Sequence, residues 1–211
     1  MSSHSRDERA ALADLMASLG PDAPTLCGGW TVRDLVAHLV VRERRPDAGL
    51  GAIVPGLGGW AERTRTGVRD RTSWEELLTQ LRAGAPVWSP LGNPLADSAV
   101  NLLEFFVHHE DVRRAQPGWG PRALPSRLED ELWTRLRVLG PLATRRWAAG
   151  LTLTAPAGRT MHLRRGEPEV TVSGTPSELV LFCTGRQRVA RVDVQGPDDL
   201  VADLQKAPFG I

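Results

Sequence analysis

Two histidines and one glutamate form the pattern in this sequence that is best suited to chemistry. Glu104 and His108 lie four positions apart in the run Asn-Leu-Leu-Glu-Phe-Phe-Val-His-His-Glu-Asp, which begins at Asn101. In a helix, that spacing places both side chains on one face, about one turn apart. His38 lies in an earlier amphipathic segment and can supply a third ligand. Two imidazoles and one carboxylate on helices suit zinc or a similar divalent ion, with coordination positions left for water or substrate.

The same spacing has a purely structural interpretation, which the sequence leaves open. A Glu-x-x-x-His match occurs by chance on many helices, where its side chains are simply packed or solvated. Successive helical residues are rotated by about 100°, so His109 does not share the face of Glu104 if His108 does. We therefore select His108 as the ligand and expect His109 at the rim of the site or behind the ligands. Asp111, seven positions after Glu104, returns to this face and either orients a ligand or pairs with a neighbouring arginine.

Two further side chains near His38 have alternative roles. Arg42 lies one helical turn after His38 and is a candidate to bind an anionic cosubstrate or substrate through paired hydrogen bonds. Its alternative is a surface salt bridge with Glu43 or Asp47. Cys27 precedes the same helix and is either a reactive thiol or a small apolar residue. No cysteine lies beside the ligands in either motif, which disfavours a redox sensor based on zinc and thiolate.

Six segments with a helical pattern precede residue 150 and must position these side chains. They cover approximately residues 6–19, 32–45, 60–69, 73–83, 97–116 and 126–149. Thr31, followed three positions later by Asp34, has the pattern of a capping box at the start of the second helix. Pro46 ends that helix. Residues 49–59 and 87–96 are rich in glycine and proline, and we expect loops there.

The pattern changes at Gly150 from helical spacing to alternation with a period of two. The expected strands cover residues 151–155, 160–164, 169–173 and 189–194, and the expected helices cover residues 175–184 and 197–205. The fold class is therefore α+β. We place an all-helical bundle over residues 1–149 and a small α+β domain over residues 150–211.

The composition and charge of the sequence argue against several classes of protein. The net charge is +1, and the arginines alternate with acidic residues instead of forming a basic stripe, which argues against a nucleic-acid partner. No apolar run approaches the roughly 18 to 20 residues that span a bilayer, so we expect no membrane segment. The N-terminus lacks the apolar core of a signal peptide, and we expect a cytoplasmic location. The two cysteines, Cys27 and Cys183, are too few for a disulfide framework.

Two segments resemble a known family. The segment that begins at Leu26, Leu-Cys-Gly-Gly-Trp-Thr-Val-Arg-Asp-Leu-Val-Ala-His-Leu, resembles the entry to the second helix of the mycothiol-dependent maleylpyruvate isomerase family, part of the DinB-like metalloprotein superfamily. The run from Glu104, Glu-Phe-Phe-Val-His-His-Glu-Asp-Val-Arg-Arg-Ala, resembles the second ligand motif of that family. The resemblance covers nearly the whole chain, and it extends to actinobacterial DinB-like proteins described as metal-binding.

The resemblance implies a DinB-like helical bundle with a four-helix core, in which His38, Glu104 and His108 bind a divalent metal, most often zinc. The same donor set suits nickel and iron, so the sequence leaves the metal open. The implied enzyme is a transferase or isomerase that activates a low-molecular-weight thiol, such as mycothiol, as a metal-bound thiolate. The thiolate would attack an electrophilic small molecule, which the sequence does not identify.

The alternative is a protein that binds metal or a ligand for regulation and has no turnover. A closed site with four protein ligands would favour that alternative, whereas an open position beside a pocket would favour the enzyme. The sequence is compatible with a monomer or a homodimer.

Overall fold

A computed structural model describes residues 4–45, 58–89 and 101–210. The chain divides into two compact units, residues 1–120 and residues 121–211. The first unit is helical and the second combines helices with a four-stranded sheet, which confirms the α+β class. Within the described residues, no helix combines the length and apolar character needed to cross a membrane.

The first unit contains five helices among its described residues. They are α1 (His4–Leu19), α2 (Val32–Arg44), α3 (Gly58–Arg71), α4 (Trp74–Ala83) and α5 (Leu102–Arg113). Helices α1, α2, α4 and α5 share one apolar core, which confirms the expected four-helix core. Its fully buried residues include Leu12, Leu35, Leu77 and Phe105. Burial of each such side chain contributes about 1.5 to 3 kcal/mol to folding.

Helix α2 is fixed at its first turn. The hydroxyl of Thr31 accepts a hydrogen bond from the backbone N–H of Asp34, and the carboxylate of Asp34 accepts one from the N–H of Thr31, so the expected capping box is confirmed. The same carboxylate pairs with Arg65 at 2.6 Å and with Arg69 at 2.9 Å, both on α3. Burial alone would raise the pKa of Asp34, but the two arginines and Thr31 hold it far below its usual value. The start of α2 is therefore anchored to α3.

Buried polar contacts fix α1 against its neighbours. Glu8 on α1 lies 2.9 Å from Nδ1 of His109 on α5, and Arg9 on α1 pairs with Glu43 on α2 at 2.6 Å. The guanidinium of Arg9 also lies 4.6 Å from the centre of the Phe105 ring. Buried pairs of this kind add little net stability, but they penalise any slip in which one partner is left unpaired.

Helix α5, which carries Glu104 and His108, ends earlier than the sequence predicts. It ends at Arg113, not at residue 116, and Arg114 already has the role of C-cap. The expected start at residue 97 lies outside the described residues, as does most of the expected loops 49–59 and 87–96.

The second unit contains one long helix, two short helices and a mixed sheet. Its elements are α6 (Ser126–Ala143), β1 (Gly150–Ala155), β2 (Arg159–Arg164), β3 (Glu169–Ser173), α7 (Pro176–Cys183), β4 (Asp193–Gln195) and α8 (Asp198–Leu204). The strand order is β2-β1-β3-β4. Strand β1 is antiparallel to β2 and parallel to β3, and β4 is antiparallel to β3.

Helix α6 packs within the second unit. From its helical pattern we expected it in the bundle of the first unit. A Cβ atom on Gly140 would lie 2.8 Å from Cδ2 of Leu163 on β2, so the helix backbone closely approaches the sheet. The carboxylate of Glu129 accepts hydrogen bonds of 2.8 Å from both the backbone N–H and the hydroxyl of Ser177, at the start of α7. The units therefore divide at residue 120 instead of residue 149. Helical periodicity identifies the apolar face of α6 but not the partner that covers it.

The fourth strand is shorter and later than predicted. Backbone N–H groups of Val189 and Ala190 donate to the carbonyl of Arg186, and the N–H of Arg191 donates to the Glu178 side chain. Because these donors are used in a turn and a side-chain contact, the ladder with β3 begins only at Asp193.

We expect the substitution Glu129→Ala to lower the free energy of unfolding of the second unit by about 1 to 3 kcal/mol, because two donors at the start of α7 lose a charged acceptor. Urea denaturation and hydrogen exchange at residues 176–183 measure this effect. The matched control is Asp130→Ala on the same helix, where an exposed pair with Arg159 is lost at a cost of less than about 1 kcal/mol. Equal exchange rates in α7 of both variants would contradict the packing of α6 on α7.

Candidate metal centre

The three expected ligands meet in the first unit. Oε1 of Glu104 lies 3.2 Å from Nε2 of His38 and 3.3 Å from Nε2 of His108. These residues form a group whose potential ligand atoms all lie within 4.8 Å of one another. Tetrahedral zinc with bonds of about 2.0 to 2.1 Å holds its ligand atoms about 3.3 Å apart. The observed spacing therefore suits one divalent ion.

Two helices present these ligands to each other. His38 lies in the middle of α2, and Glu104 and His108 lie one turn apart on α5. The two imidazole rings are nearly perpendicular, with centroids 5.4 Å apart. The side chains of His38 and Glu104 are 30% and 25% exposed, and that of His108 is 13% exposed, so the group is partly accessible to solvent. Such access is required if a small molecule is to reach an ion there.

Asp111 holds the second nitrogen of His108. Its Oδ2 atom lies 2.9 Å from Nδ1 of His108, and its side chain is fully buried. A carboxylate accepts a hydrogen bond, so Nδ1 keeps its proton, and Nε2 is the nitrogen that would give up a proton in order to bind an ion. Burial lowers the pKa of His108, but Asp111, Cys27 and Glu104 together raise it well above its ordinary value. Arg113 and Arg114, the neighbouring arginines, each form an ion pair with Glu110.

Glu104 is the charged member of the group. Burial raises the pKa of its carboxyl, but hydrogen bonds from His108 and His38, together with the charge of Arg42, hold the pKa well below its ordinary value. Glu104 is therefore ionised at neutral pH. Its negative charge offsets part of the charge of a divalent ion, as a carboxylate ligand must.

Arg42 lies at the edge of this group. Its Nε atom is 3.5 Å from Oε1 of Glu104, and its Nη1 donates a hydrogen bond to the side-chain oxygen of Asn101. The suggested salt bridge with Glu43 does not form, because Glu43 pairs with Arg9. The other suggested partner, Asp47, lies outside the described residues.

A short loop before α2 contacts both histidines, and the spacing of residues in the sequence did not predict the contact made by Cys27. Sγ of Cys27 lies 3.2 Å from Oδ2 of Asp111 and 3.7 Å from Nδ1 of His108. The ring of Trp30 lies 5.3 Å from the ring of His38. Cys27 is thus beside the ligands in space, although 81 positions separate it from His108 in sequence. The Gly-Gly pair that follows Cys27 indicates a tight turn before the helix, but it does not indicate which residues that turn contacts.

His109 and His162 make other contacts. His109 is buried against Glu8 on α1 instead of lying at the rim of the site. His162 lies on β2 in the second unit, where its side chain is half exposed and its Nδ1 atom is 2.7 Å from the hydroxyl of Thr152.

Comparisons with known proteins identify the family of the first unit and the fold of the chain. Residues 5–113 match the family model described as the mycothiol maleylpyruvate isomerase N-terminal domain. The chain is also similar to the crystal structure of the mycothiol-dependent maleylpyruvate isomerase, with a TM-score of 0.57 and 18% sequence identity over 92% of each chain. A histidine-to-alanine mutant of that isomerase aligns with a TM-score of 0.56, again at 18% identity over 92% of each chain. At this identity the two structures establish the fold alone. Comparison with curated protein sequences gives no significant match.

The raised pKa of His108 leads to a prediction about metal binding. Nε2 must lose its proton to bind an ion, so we expect the affinity for zinc to keep rising with pH above about 6.5, the ordinary pKa of histidine. Asp111→Asn removes the carboxylate that raises this pKa. We expect the variant to move the pH dependence to lower pH and to weaken zinc binding about 10-fold to 100-fold at high pH.

Competition titration with a chelator across the pH range measures both effects. Asp14→Asn is the matched control, because its carboxylate is 74% exposed on α1 and pairs only weakly with Arg82. An Asp111→Asn variant with the affinity and pH profile of the control would contradict the role given to Asp111.

Proposed function

Because this chain belongs to the mycothiol maleylpyruvate isomerase N-terminal domain family, we propose that it is a metal-dependent enzyme that activates a low-molecular-weight thiol for reaction with an electrophilic small molecule. The observation that supports this most directly is the convergence of His38 Nε2, Glu104 Oε1 and His108 Nε2 within 4.8 Å. We propose zinc as the ion and mycothiol as the thiol. The reaction class is transferase or isomerase.

The chain's own residues would prepare the site in two ways, by holding an ion and by orienting one of its ligands. His38, Glu104 and His108 would hold the ion, and these three donors leave a coordination position open. When bound, the ion supplies positive charge that lowers the pKa of an adjacent thiol. Asp111 keeps the proton on Nδ1 of His108, so the ring does not compete for the thiol proton through that nitrogen.

We propose that Arg42 binds an anionic group of the thiol cosubstrate or of the substrate. Its contacts with Glu104 and Asn101 involve Nε and Nη1. A guanidinium has five N–H donors in a fixed plane, so a second anion can be bound at Nη2 while the first contacts persist. The charge of Arg42 would thereby orient an anionic molecule beside the ligands.

The chemistry of a thiol accounts for the isomerase and transferase alternatives in one scheme. Addition of the thiolate sulfur to a carbon–carbon double bond conjugated with a carbonyl forms a carbon–sulfur bond and leaves a single bond, about which rotation is possible. Expulsion of the thiolate after rotation restores the double bond and gives the isomer, with the thiol regenerated. If the adduct is protonated and released instead, the outcome is conjugation.

The ligand assignment is tested by His38→Ala and His108→Ala. We expect both variants to lose stoichiometric metal and to lose the rise in melting temperature that metal gives the wild type, because a bound ion stabilises the folded state by mass action. His162→Ala, in the second unit, is the matched control and is expected to retain both properties. Elemental mass spectrometry and thermal denaturation measure the outcome. Unchanged metal content in both ligand variants would refute the assignment.

The role of Arg42 is tested separately from the metal. We expect Arg42→Ala to weaken mycothiol or substrate binding about 10-fold or more, as the loss of a charge-assisted hydrogen bond predicts, while the metal content stays near that of the wild type. Isothermal titration of the zinc-loaded protein measures the affinity, and Arg42→Lys tests whether charge alone is sufficient. An unaltered affinity in Arg42→Ala would restrict this residue to holding Glu104 and Asn101.

The enzyme class is tested with the zinc-loaded protein, mycothiol and a panel of electrophiles that includes maleylpyruvate. Turnover that requires both zinc and the thiol would support the proposal. Full metal occupancy without turnover across the panel would favour a regulatory or ligand-binding protein instead.

A further inference from the structure

Trp30 packs against one of the proposed metal ligands and takes no part in the proposed function. The centre of its ring lies 5.3 Å from the centre of the His38 ring, and the two rings are inclined at 51°. This distance lies within the range of a favourable aromatic pair. Trp30 belongs to the loop before α2, whereas His38 lies in the middle of that helix. The contact therefore requires the indole to lie along the first turns of α2.

The two histidines of the site are held by different kinds of contact. Nδ1 of His108 lies 2.9 Å from the buried carboxylate of Asp111. For His38, the described part of the chain provides a hydrogen-bond partner at Nε2, which is Glu104 at 3.2 Å, and none at Nδ1. One hydrogen bond fixes the position of Nε2 but leaves the plane of the ring free to tilt about χ2, which is a soft torsion. The ring of Trp30 packs against His38 and limits that tilt.

Trp30 is itself held at its backbone and at its ring. Its N–H donates a hydrogen bond of 2.8 Å to the carbonyl of Cys27. The guanidinium of Arg65 lies over the indole, 4.4 Å from the centre of the ring, in a cation–π contact. Arg65 is buried and pairs with Asp34 at 2.6 Å, so this cation is fixed as well. The indole therefore meets His38 as a supported surface and not as a mobile side chain.

We propose that Trp30 is a positioning residue for the metal centre: its indole holds the imidazole plane of His38 so that Nε2 is directed at the ion. This inference rests on the metal site of the proposed function. A metal bond to imidazole lies along the nitrogen lone pair, in the plane of the ring, so a tilted ring binds more weakly even when Nε2 stays near the ion. Groups that fix the orientation of a ligand ring therefore contribute to metal affinity without touching the metal.

The surroundings of the indole favour this role over direct binding of a small molecule. A stacked ligand needs an open aromatic face, whereas the Trp30 ring already contacts the guanidinium of Arg65 and the ring of His38. Trp30 also packs against the apolar core of the first unit, as does Trp74 at the start of α4. Within the described residues, Trp74 makes no ring contact with a histidine, so it is a matched control for the loss of core packing alone.

The test uses Co2+ as the probe, because its visible absorption bands report ligand geometry as well as occupancy. The variants are Trp30→Leu, which removes the aromatic ring, Trp30→Phe, which keeps one, and Trp74→Leu as the control. We expect Trp30→Leu to weaken Co2+ binding about 3-fold to 10-fold, as the loss of one aromatic pair predicts, and to shift the absorption bands. We expect Trp30→Phe to recover most of the affinity and the wild-type spectrum.

The control separates positioning from packing. We expect Trp74→Leu to lower the melting temperature, because apolar contacts with the core are lost, but to keep the wild-type affinity and spectrum. A Trp30→Leu variant with wild-type affinity and spectrum and only a lower melting temperature would overturn the positioning role. Equal losses of affinity in Trp30→Leu and Trp74→Leu would also overturn it, since core packing would then account for both.

A measurement on the metal-free protein distinguishes failure of this inference from failure of the proposed function. If wild-type protein binds no Co2+, the metal centre itself is refuted. Residual dipolar couplings of the His38 ring C–H bonds, recorded without metal, still report the orientation and mobility of the imidazole. We expect these couplings to be reduced in Trp30→Leu, because a mobile ring averages them, and to stay near the wild-type values in Trp30→Phe and Trp74→Leu. Identical couplings in the wild type and Trp30→Leu would overturn the inference by themselves.

Discussion

The carboxylate of Glu104 imposes the constraint on which the arrangement of α2 and α5 depends. One of its oxygens lies within 3.5 Å of donors from His38, His108 and Arg42, which come from two helices. A carboxylate in this position without cations or donors would carry a large desolvation penalty. Either the helices place positive groups or hydrogen-bond donors beside this carboxylate, or the carboxylate must be protonated. A divalent ion would satisfy the same requirement. A cluster of side chains with a purely structural role and a cluster that binds a metal would therefore have the same geometry here.

The surrounding contacts determine the separation of the two helices that meet at Glu104. Asp34 anchors the start of α2 to two arginines of α3, and Glu43, near the end of α2, is anchored to Arg9 on α1. Glu8 on the same helix pairs with His109 on α5. Contacts between buried polar side chains therefore hold both α2 and α5 against α1. Apolar packing alone tolerates small slips between helices, whereas a buried charge that loses its partner does not. This constraint gives the ligand atoms their spacing.

Local patterns in the sequence predict the parts of this structure that are local in origin. The capping box of Thr31 and Asp34 and the shared face of Glu104 and His108 follow from helical geometry, and strands β1, β2 and β3 follow from alternation. The ligand role of these side chains remains a prediction. Sequence patterns do not identify a packing partner that is distant along the chain. Periodicity shows that α6 has an apolar face but not that β2 and α7 cover it. The contact of Cys27 with Asp111 depends on how the loop before α2 lies against α5, which no local signal encodes.

The division of the chain at residue 120 has a consequence for how such proteins diversify. All three proposed ligands, together with Asp111, Arg42 and Cys27, lie in the first unit, and the match to the family model ends at residue 113, just before the division. The second unit has its own hydrogen-bonded link, from the start of α7 to Glu129 on α6. Substitutions after residue 120 therefore leave the chemical identity of every proposed ligand unchanged. The two parts of the chain can in this way accumulate substitutions under different constraints.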